Sequence, residues 1–182
     1  MNSHAAPTLP NATAIFAGGC FWCMEPPFDA ADGVIATDAG YTGGKSQNPT
    51  YEEIGTGKSG HFEAIRITYN PSKISYKKLL EIFWQNIDPT DAGGQFADRG
   101  SQYHTAIFVA NAEERALAEA SRAEIAKKFA PMNIATQILE AKPFFVAEDY
   151  HQDYYQKNPL HYTRYKIGSG RAGGLKEMWG SE

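Results

Sequence analysis

The sequence predicts an α+β protein: a two-layer sandwich with a ferredoxin-like βαββαβ core, an α-β-α extension and two long loops. Three observations predict it. Apolar patterning through Val109 runs in the order β-α-β-β-α-β, the split unit of such a core. A helix–strand–helix succession follows. The chain is also the right size for one buried core: 182 residues, 42% hydrophobic and 21% charged, with no internal repeat and no linker-like break. We expect one domain over residues 13–166, a flexible N-terminal tail over 1–12 and a Gly-rich C-terminal tail over 167–182.

The elements follow from local pattern. Thr13 to Ala17 is a short apolar run that ends at Gly18-Gly19, a strand followed by a sharp turn. Cys20 to Ala31 reads as a helix, with Pro26 and Pro27 either early in a helix that starts near Glu25 or distorting its first turn. Gly33 to Tyr41 leans to strand, and residues 42–60 form a long polar loop. His61 to Tyr69 alternates as a strand. Ser75 to Ile87 carries a helical stripe of Leu79, Leu80, Phe83 and Ile87. Residues 88–102 are a second polar loop, His104 to Val109 a strand, and Ala112 to Phe129 a helix with Asn111 as its N-cap. Ile134 to Ala141 is a strand and Ala147 to Lys157 a final helix.

Composition excludes several function classes. Net charge is 17 − 21 = −4, which gives no electrostatic case for nucleic acid or an anionic membrane. No stretch reaches the roughly 18 apolar residues of a membrane helix. The first residues lack the basic start and apolar run of a secretory signal, so the expected location is cytoplasmic. Two cysteines are too few for a disulfide scaffold.

Those two cysteines, Cys20 and Cys23, stand one helical turn apart. Cys20 follows strand-Gly-Gly and opens a helix. Unpaired amides and the positive end of the helix dipole there favour a thiolate, so the spacing predicts a lowered pKa and a reactive sulfur. A buried structural cysteine is the plain alternative. Cys23 can reach Cys20 in a disulfide. Zinc is disfavoured, because His4, His61, His104, His151 and His161 form no ligand-like cluster. Alternation puts Glu63 on the face of Ile65, Ile67 and Tyr69, where burial raises the pKa of a carboxyl; a solvated or paired carboxylate at the strand end is the alternative. Tyr41, Tyr51 and Tyr103 lie on or beside the loops, where a phenol can donate to a polar oxygen or simply pack. Phe21 and Trp22 beside the thiol can wall a methyl or thioether group. Gly55 to Ser59 (GTGKS) mimics a phosphate loop, but Glu52 stands where the loop needs glycine and a strand follows rather than a helix.

Several motifs in order resemble the peptide methionine sulfoxide reductase family of type A: GCFW at Gly19–Trp22, GYTGG at Gly40–Gly44, NPTY at Asn48–Tyr51, GHFEA at Gly60–Ala64, FWQNIDP at Phe83–Pro89, DRGSQY at Asp98–Tyr103 and KNP at Lys157–Pro159. The resemblance implies reduction of the S epimer of methionine sulfoxide, free or in proteins, with a thiol such as thioredoxin as reductant and no bound cofactor. It implies Cys20 as nucleophile and Glu63 as the acid for the sulfoxide oxygen. Tyr51 and Tyr103 then bond that oxygen, Phe21 and Trp22 flank the methyl group, and Asp98 orients. Many members clear the resulting sulfenic acid with cysteines in a C-terminal tail. This tail has none, so Cys23 is the expected resolving thiol. Two other readings fit the cysteine spacing alone: a thioredoxin-like dithiol oxidoreductase, and a ferredoxin-like module binding Cu(I). The first leaves Glu63 and the tyrosines without a role, and in the second Phe21-Trp22 would crowd a metal.

Overall fold

The computed structural model describes residues 10–180; the first nine residues of the expected N-terminal tail, with His4, lie outside them. It contains β1 (Ala12–Gly18), α1 (Phe21–Asp29), β2 (Val34–Thr42), α2 (Tyr51–Gly55), β3 (Phe62–Tyr69), α3 (Tyr76–Gln85), β4 (Gly94–Gln95), β5 (Asp98–Arg99), β6 (Thr105–Val109), α4 (Ala112–Phe129), β7 (Gln137–Glu140), β8 (Phe145–Val146), α5 (Tyr154–Lys157), α6 (Pro159–Gly168) and α7 (Arg171–Trp179). Six strands form one mixed sheet in the order β7-β6-β1-β3-β2-β8. All its neighbours are antiparallel except β6 and β7. The short β4–β5 ribbon stands apart. The protein is thus an α+β fold with a mixed sheet.

Side-chain alternation decides what each sheet face covers. One face presents Ala14 and Phe16 of β1, Ile65 and Ile67 of β3, Ala39 and Tyr41 of β2, and Ile107 and Val109 of β6. Against it pack Phe21, Met24 and Phe28 of α1, Leu79, Leu80 and Phe83 of α3, and Ala118 of α4. The other face is thinner: Ala17, Ala64, Ala106 and Phe108, edged by Phe62, Leu139 and Phe144. Helix starts obey their caps. Ser75 accepts from the Lys78 amide at 3.1 Å, and Asn111 from the Glu114 amide at 2.9 Å while the Glu114 carboxylate bonds back to the Ala110 amide at 2.8 Å.

Four segments differ from the sequence expectation. Helix α1 begins at Phe21 and carries both Pro26 and Pro27 inside it, so the carbonyls of Trp22 and Cys23 lose their usual helical donors. The loop over 42–60 contains α2, capped by Thr50 accepting from the Glu53 amide at 3.3 Å. The expected helix from Ala147 to Lys157 is instead an extended end of β8, a 3-10 turn at Asp149–His151 and the four-residue α5, with Asp153 left-handed at φ 52° between them. Its polar side chains are drawn inward: Gln152 clasps the Ala39 backbone through bonds of 2.8 and 2.9 Å. The Gly-rich segment after Ile167 carries α7, whose glycines would disfavour a free helix but whose Arg171 and Leu175 are buried. Trp179 donates to the Ile87 carbonyl at 3.0 Å.

Phe16 lies at the centre, fully buried, with the rings of Phe28, Tyr76 and Phe83 at 5.8, 6.0 and 5.1 Å. Truncating it to alanine removes a large side chain from a packed site. Urea unfolding of Phe16→Ala should show a loss of about 3–5 kcal/mol. The exposed Ile35→Ala control should lose less than about 1 kcal/mol.

Candidate active site

Strand β1 ends at Gly18, and Gly19 turns the chain at φ +83°, a conformation that favours glycine. Cys20 is then the residue that caps α1, its side chain bonding no helix amide. On the neighbouring strand β3, Glu63 pairs across from Tyr41 and points into the same buried layer as Ile65 and Ile67. The first amide of the helix, that of Phe21, donates to Glu63 Oε2 at 3.2 Å. Burial raises Glu63 to about 8 against the pull of that bond.

The thiols do not behave as helix position alone predicts. Both are free and buried. Burial raises Cys20 well above its ordinary value, and its bond to Cys23 and the nearby Glu63 add to the rise. Cys23 is lowered instead: the bond from Cys20 draws it down against burial, with Arg171 and Lys166 contributing. The expected lowering of Cys20 therefore does not occur. Its physical reason is that the α1 amide nearest the turn is engaged by Glu63, while the sulfur itself is shut away from water.

Aromatic side chains surround this turn. The Trp22 ring stacks on Tyr154 at 3.7 Å and 6° and donates from Nε1 to His151 Nδ1 at 3.0 Å. His151 is buried, and burial lowers it to about 4. It is therefore a neutral acceptor at Nδ1 with its proton on Nε2. Its ring lies 4.9 Å from Phe21 and 4.4 Å from Tyr51. Glu148 fixes the same corner, accepting from the Tyr41 hydroxyl at 2.7 Å and the Tyr51 amide at 2.9 Å. Burial, then the charge of Glu63, raises Tyr51 to about 12 and Tyr103 further. Asp98 accepts a short hydrogen bond from the Tyr165 hydroxyl.

The structure brings Cys20, Cys23, Glu63, Phe21, Trp22, Tyr51, Tyr103 and Asp98 into one cluster, with Tyr103 within electrostatic reach of Glu63, Tyr51, Cys20 and Asp98. Sequence reasoning missed Glu148, His151, Tyr154, Tyr165 and Arg171 at the site. The density of acids and aromatics in Glu148–Tyr155 hints at the first three, and nothing in the pattern marks Tyr165 or Arg171. Surface cavities of about 510 and about 590 Å3 lie elsewhere, lined by Arg122 and Ile138 and by Tyr69 and Tyr76 respectively, without a thiol. Among the described residues no three His, Cys, Asp or Glu side chains are grouped to hold a metal ion.

A family model described as peptide methionine sulfoxide reductase matches residues 12–182. The chain belongs to the peptide methionine sulfoxide reductase family. A Bacillus subtilis relative named peptide methionine sulfoxide reductase MsrA is 56% identical over 93% of this chain and 96% of its own length. The reduced form of Mxr1 from Saccharomyces cerevisiae superposes with a TM-score of 0.78 at 28% identity, over 82% of this chain and 87% of that one. Mxr1 in a complex with Trx2 shares the fold, with a TM-score of 0.56 at 20% identity over 83% of this chain and 91% of that one. This reductase is therefore an oxidoreductase acting on methionine sulfoxide, and the dithiol-oxidoreductase and Cu(I)-module readings are set aside.

A buried carboxyl raised to about 8 makes the stability of the reductase pH-dependent. The folded state holds that proton where the unfolded chain has released it, so stability falls as pH rises toward about 8. Glu25, also buried and raised to about 8, acts in the same direction. His151 contributes only at lower pH. Urea midpoints should decline from about pH 6.5 to about pH 8, and the Glu63→Gln protein should decline less steeply. Equal slopes would contradict the buried acid.

Proposed function

We propose that this reductase acts on the S epimer of methionine sulfoxide through Cys20 and Glu63, and that Cys23 closes the cycle. The observation that carries this is the Phe21 amide bond to the buried Glu63 carboxyl, which sets a neutral acid beside a thiol at the same turn. In the resting pair Cys20 keeps its proton and Cys23 accepts it as a hydrogen bond. Transfer of that proton to Cys23 frees the Cys20 sulfur to attack the sulfoxide sulfur. Glu63 protonates the sulfoxide oxygen, which becomes more basic as the S–O bond weakens. Tyr51 and Tyr103 bond that oxygen, Phe21 and Trp22 flank the methyl group, and Asp98 orients through Tyr165.

The hydroxyl then passes from the methionine sulfur to the Cys20 sulfur: the substrate S–O bond breaks, a Cys20 S–O bond forms, and methionine departs with the electron pair of the S–S bond, leaving Cys20 as a sulfenic acid. Cys23 then gives up the proton it took from Cys20, which reprotonates the Glu63 carboxylate, and attacks the Cys20 sulfur as a thiolate. The S–S bond forms, the S–O bond breaks, and hydroxide takes the Glu63 proton and leaves as water. A dithiol reductant of the thioredoxin class returns the disulfide to two thiols; the Mxr1–Trx2 complex supports that partner. Further protein partners, nucleic acid and membrane have no place in this cycle, and we assign it to the cytoplasm. No helix among the described residues is long and apolar enough to cross a membrane. The antiparallel order β6-β1-β3-β2 supports reading the core as the ferredoxin-like split unit.

Chiral chromatography of methyl p-tolyl sulfoxide turned over with dithiothreitol tests the reading. The S form should disappear, and consumption of the R form alone would defeat it. Glu63→Gln should lower the rate by about 10²–10⁴. After one stoichiometric turnover, mass spectrometry should show a loss of two hydrogens in the native chain and not in Cys23→Ser. A lasting sulfenic acid in the native chain would exclude Cys23 as the resolving thiol.

A further inference from the structure

Arg171 is an arginine where a hydrophobic residue would be expected. It is 1% exposed, at the first turn of α7, beneath the turn that carries the thiols. Its Nη2 donates to the Gly18 carbonyl at 2.8 Å and its Nη1 to the Asn86 carbonyl at 2.8 Å. The same Nη1 lies 3.7 Å from the sulfur of Met24, the residue next to Cys23. A Cβ added to Gly19 would meet Nη2 at 2.6 Å, so the guanidinium presses directly on the turn before Cys20. The Phe96 ring covers it at 5.1 Å from the ring centre. Arg171 Nε has no hydrogen-bond partner. Among the described residues, the ion pairs formed by the other arginines and lysines include none with Arg171.

A guanidinium buried without a carboxylate is costly unless some other negative charge answers it. Backbone carbonyls answer part of it. The remaining anionic candidate at this turn is a thiolate. Of the two thiols, Cys20 adjoins Glu63 and is pushed toward its neutral form, whereas Cys23 is the one Arg171 favours as an anion.

We propose that Arg171 is a positioning residue for the second half of the reaction, its buried guanidinium supplying the counter-charge to the Cys23 thiolate that attacks the oxidised Cys20. This rests on Cys23 being the resolving thiol. The step is the one balanced above: Cys23 sulfur bonds Cys20 sulfur, and the sulfenic oxygen leaves as water. Arg171 exchanges no electron or proton in it. It keeps the attacking sulfur ionised at neutral pH, where a thiol with an ordinary pKa of about 8.5 is only a few per cent thiolate. The other charged and titratable groups near Cys23 are Cys20 and Lys166, which favour the anion, and Asp98, Glu63 and Tyr162, which do not. Arg171 is the cation among them that is fully enclosed.

The test separates this role from a simple clasp between α7 and the β1 turn. In a Cys20→Ser chain, with Cys23 as the one remaining thiol, ultraviolet thiolate absorbance is titrated with Arg171 present, with Arg171→Lys and with Arg171→Met. Cys23 should titrate below its ordinary value with arginine, stay low with lysine, and rise with methionine so that the thiolate fraction at neutral pH drops about tenfold or more. In chains with both thiols, Arg171→Met should form the disulfide several-fold more slowly at neutral pH and recover at alkaline pH, with Arg171→Lys close to native. A clasp would move neither the titration nor the pH dependence. If Cys23 titrates at or above its ordinary value in the Arg171 chain, the proposal falls even if Arg171→Met fails to fold. If the native chain forms no Cys20–Cys23 disulfide, the resolving role of Cys23 falls. If it forms one and Arg171→Met matches its rate at neutral pH, only the role of Arg171 falls.

Discussion

The hydrogen bond from the Phe21 amide to Glu63 is the constraint on which the site depends. It joins the first turn of α1 to the middle layer of the sheet, and it exists because two independent features meet. Antiparallel pairing of β1 with β3, Phe16 opposite Ile65, brings the end of β1 alongside the start of β3. The left-handed Gly19 then swings the chain so that the helix begins over that point. A carboxyl at Glu63 thereby becomes both a structural acceptor for an otherwise unpaired helix amide and a buried acid. The same arrangement decides the state of Cys20. A helix start whose nearest amide is engaged, in a site closed to water and next to a carboxyl, does not stabilise a thiolate on the capping residue.

Much of this was legible in the sequence because it depends on local pattern. The alternation of Phe62 to Tyr69 located Glu63 on the buried face, since Ile65, Ile67 and Tyr69 can share only one side of a strand. The Asn111 cap and the stripe of α3 marked their helices within a residue or two. The positions of Cys20 and Cys23 at the first strand–helix turn were equally plain. What was not legible was the sign of the Cys20 shift, because periodicity does not report which acceptor takes a helix amide.

The segment expected as a helix from Ala147 to Lys157 shows where local pattern loses to tertiary demand. Its apolar spacing suits a helix, yet three consecutive functions pull it apart. Glu148 must reach Tyr41 and the Tyr51 amide, His151 must meet Trp22, and Gln152 must bond the Ala39 backbone. On a regular helix these three side chains, at i, i+3 and i+4, would share one face and aim one way, whereas their partners are spread over α1, β2 and α2. The chain therefore turns at Asp153 in a left-handed conformation, and Tyr154 emerges stacked on Trp22. These residues carry no motif of their own. Their selection is visible only when the strand β2 and helix α1 they serve are in place.

The C-terminal segment extends the same argument to electrostatics. Gly168, Gly170, Gly173 and Gly174 read as a loose tail, and intrinsic propensity agrees. The helix α7 forms there because Arg171, Leu175 and Trp179 each find a partner in the body of the protein. Gly174 also admits the Phe96 ring that covers Arg171, since a Cβ there would lie 2.6 Å from it. Gly174 thus serves packing: it sits under the ring that covers the guanidinium. Two thiols one turn apart on a single helix would otherwise share one environment. With Glu63 on one side and the enclosed Arg171 on the other, the fold makes them chemically unlike, and the proposed cycle, whose two halves use different attacking sulfurs, draws on that difference.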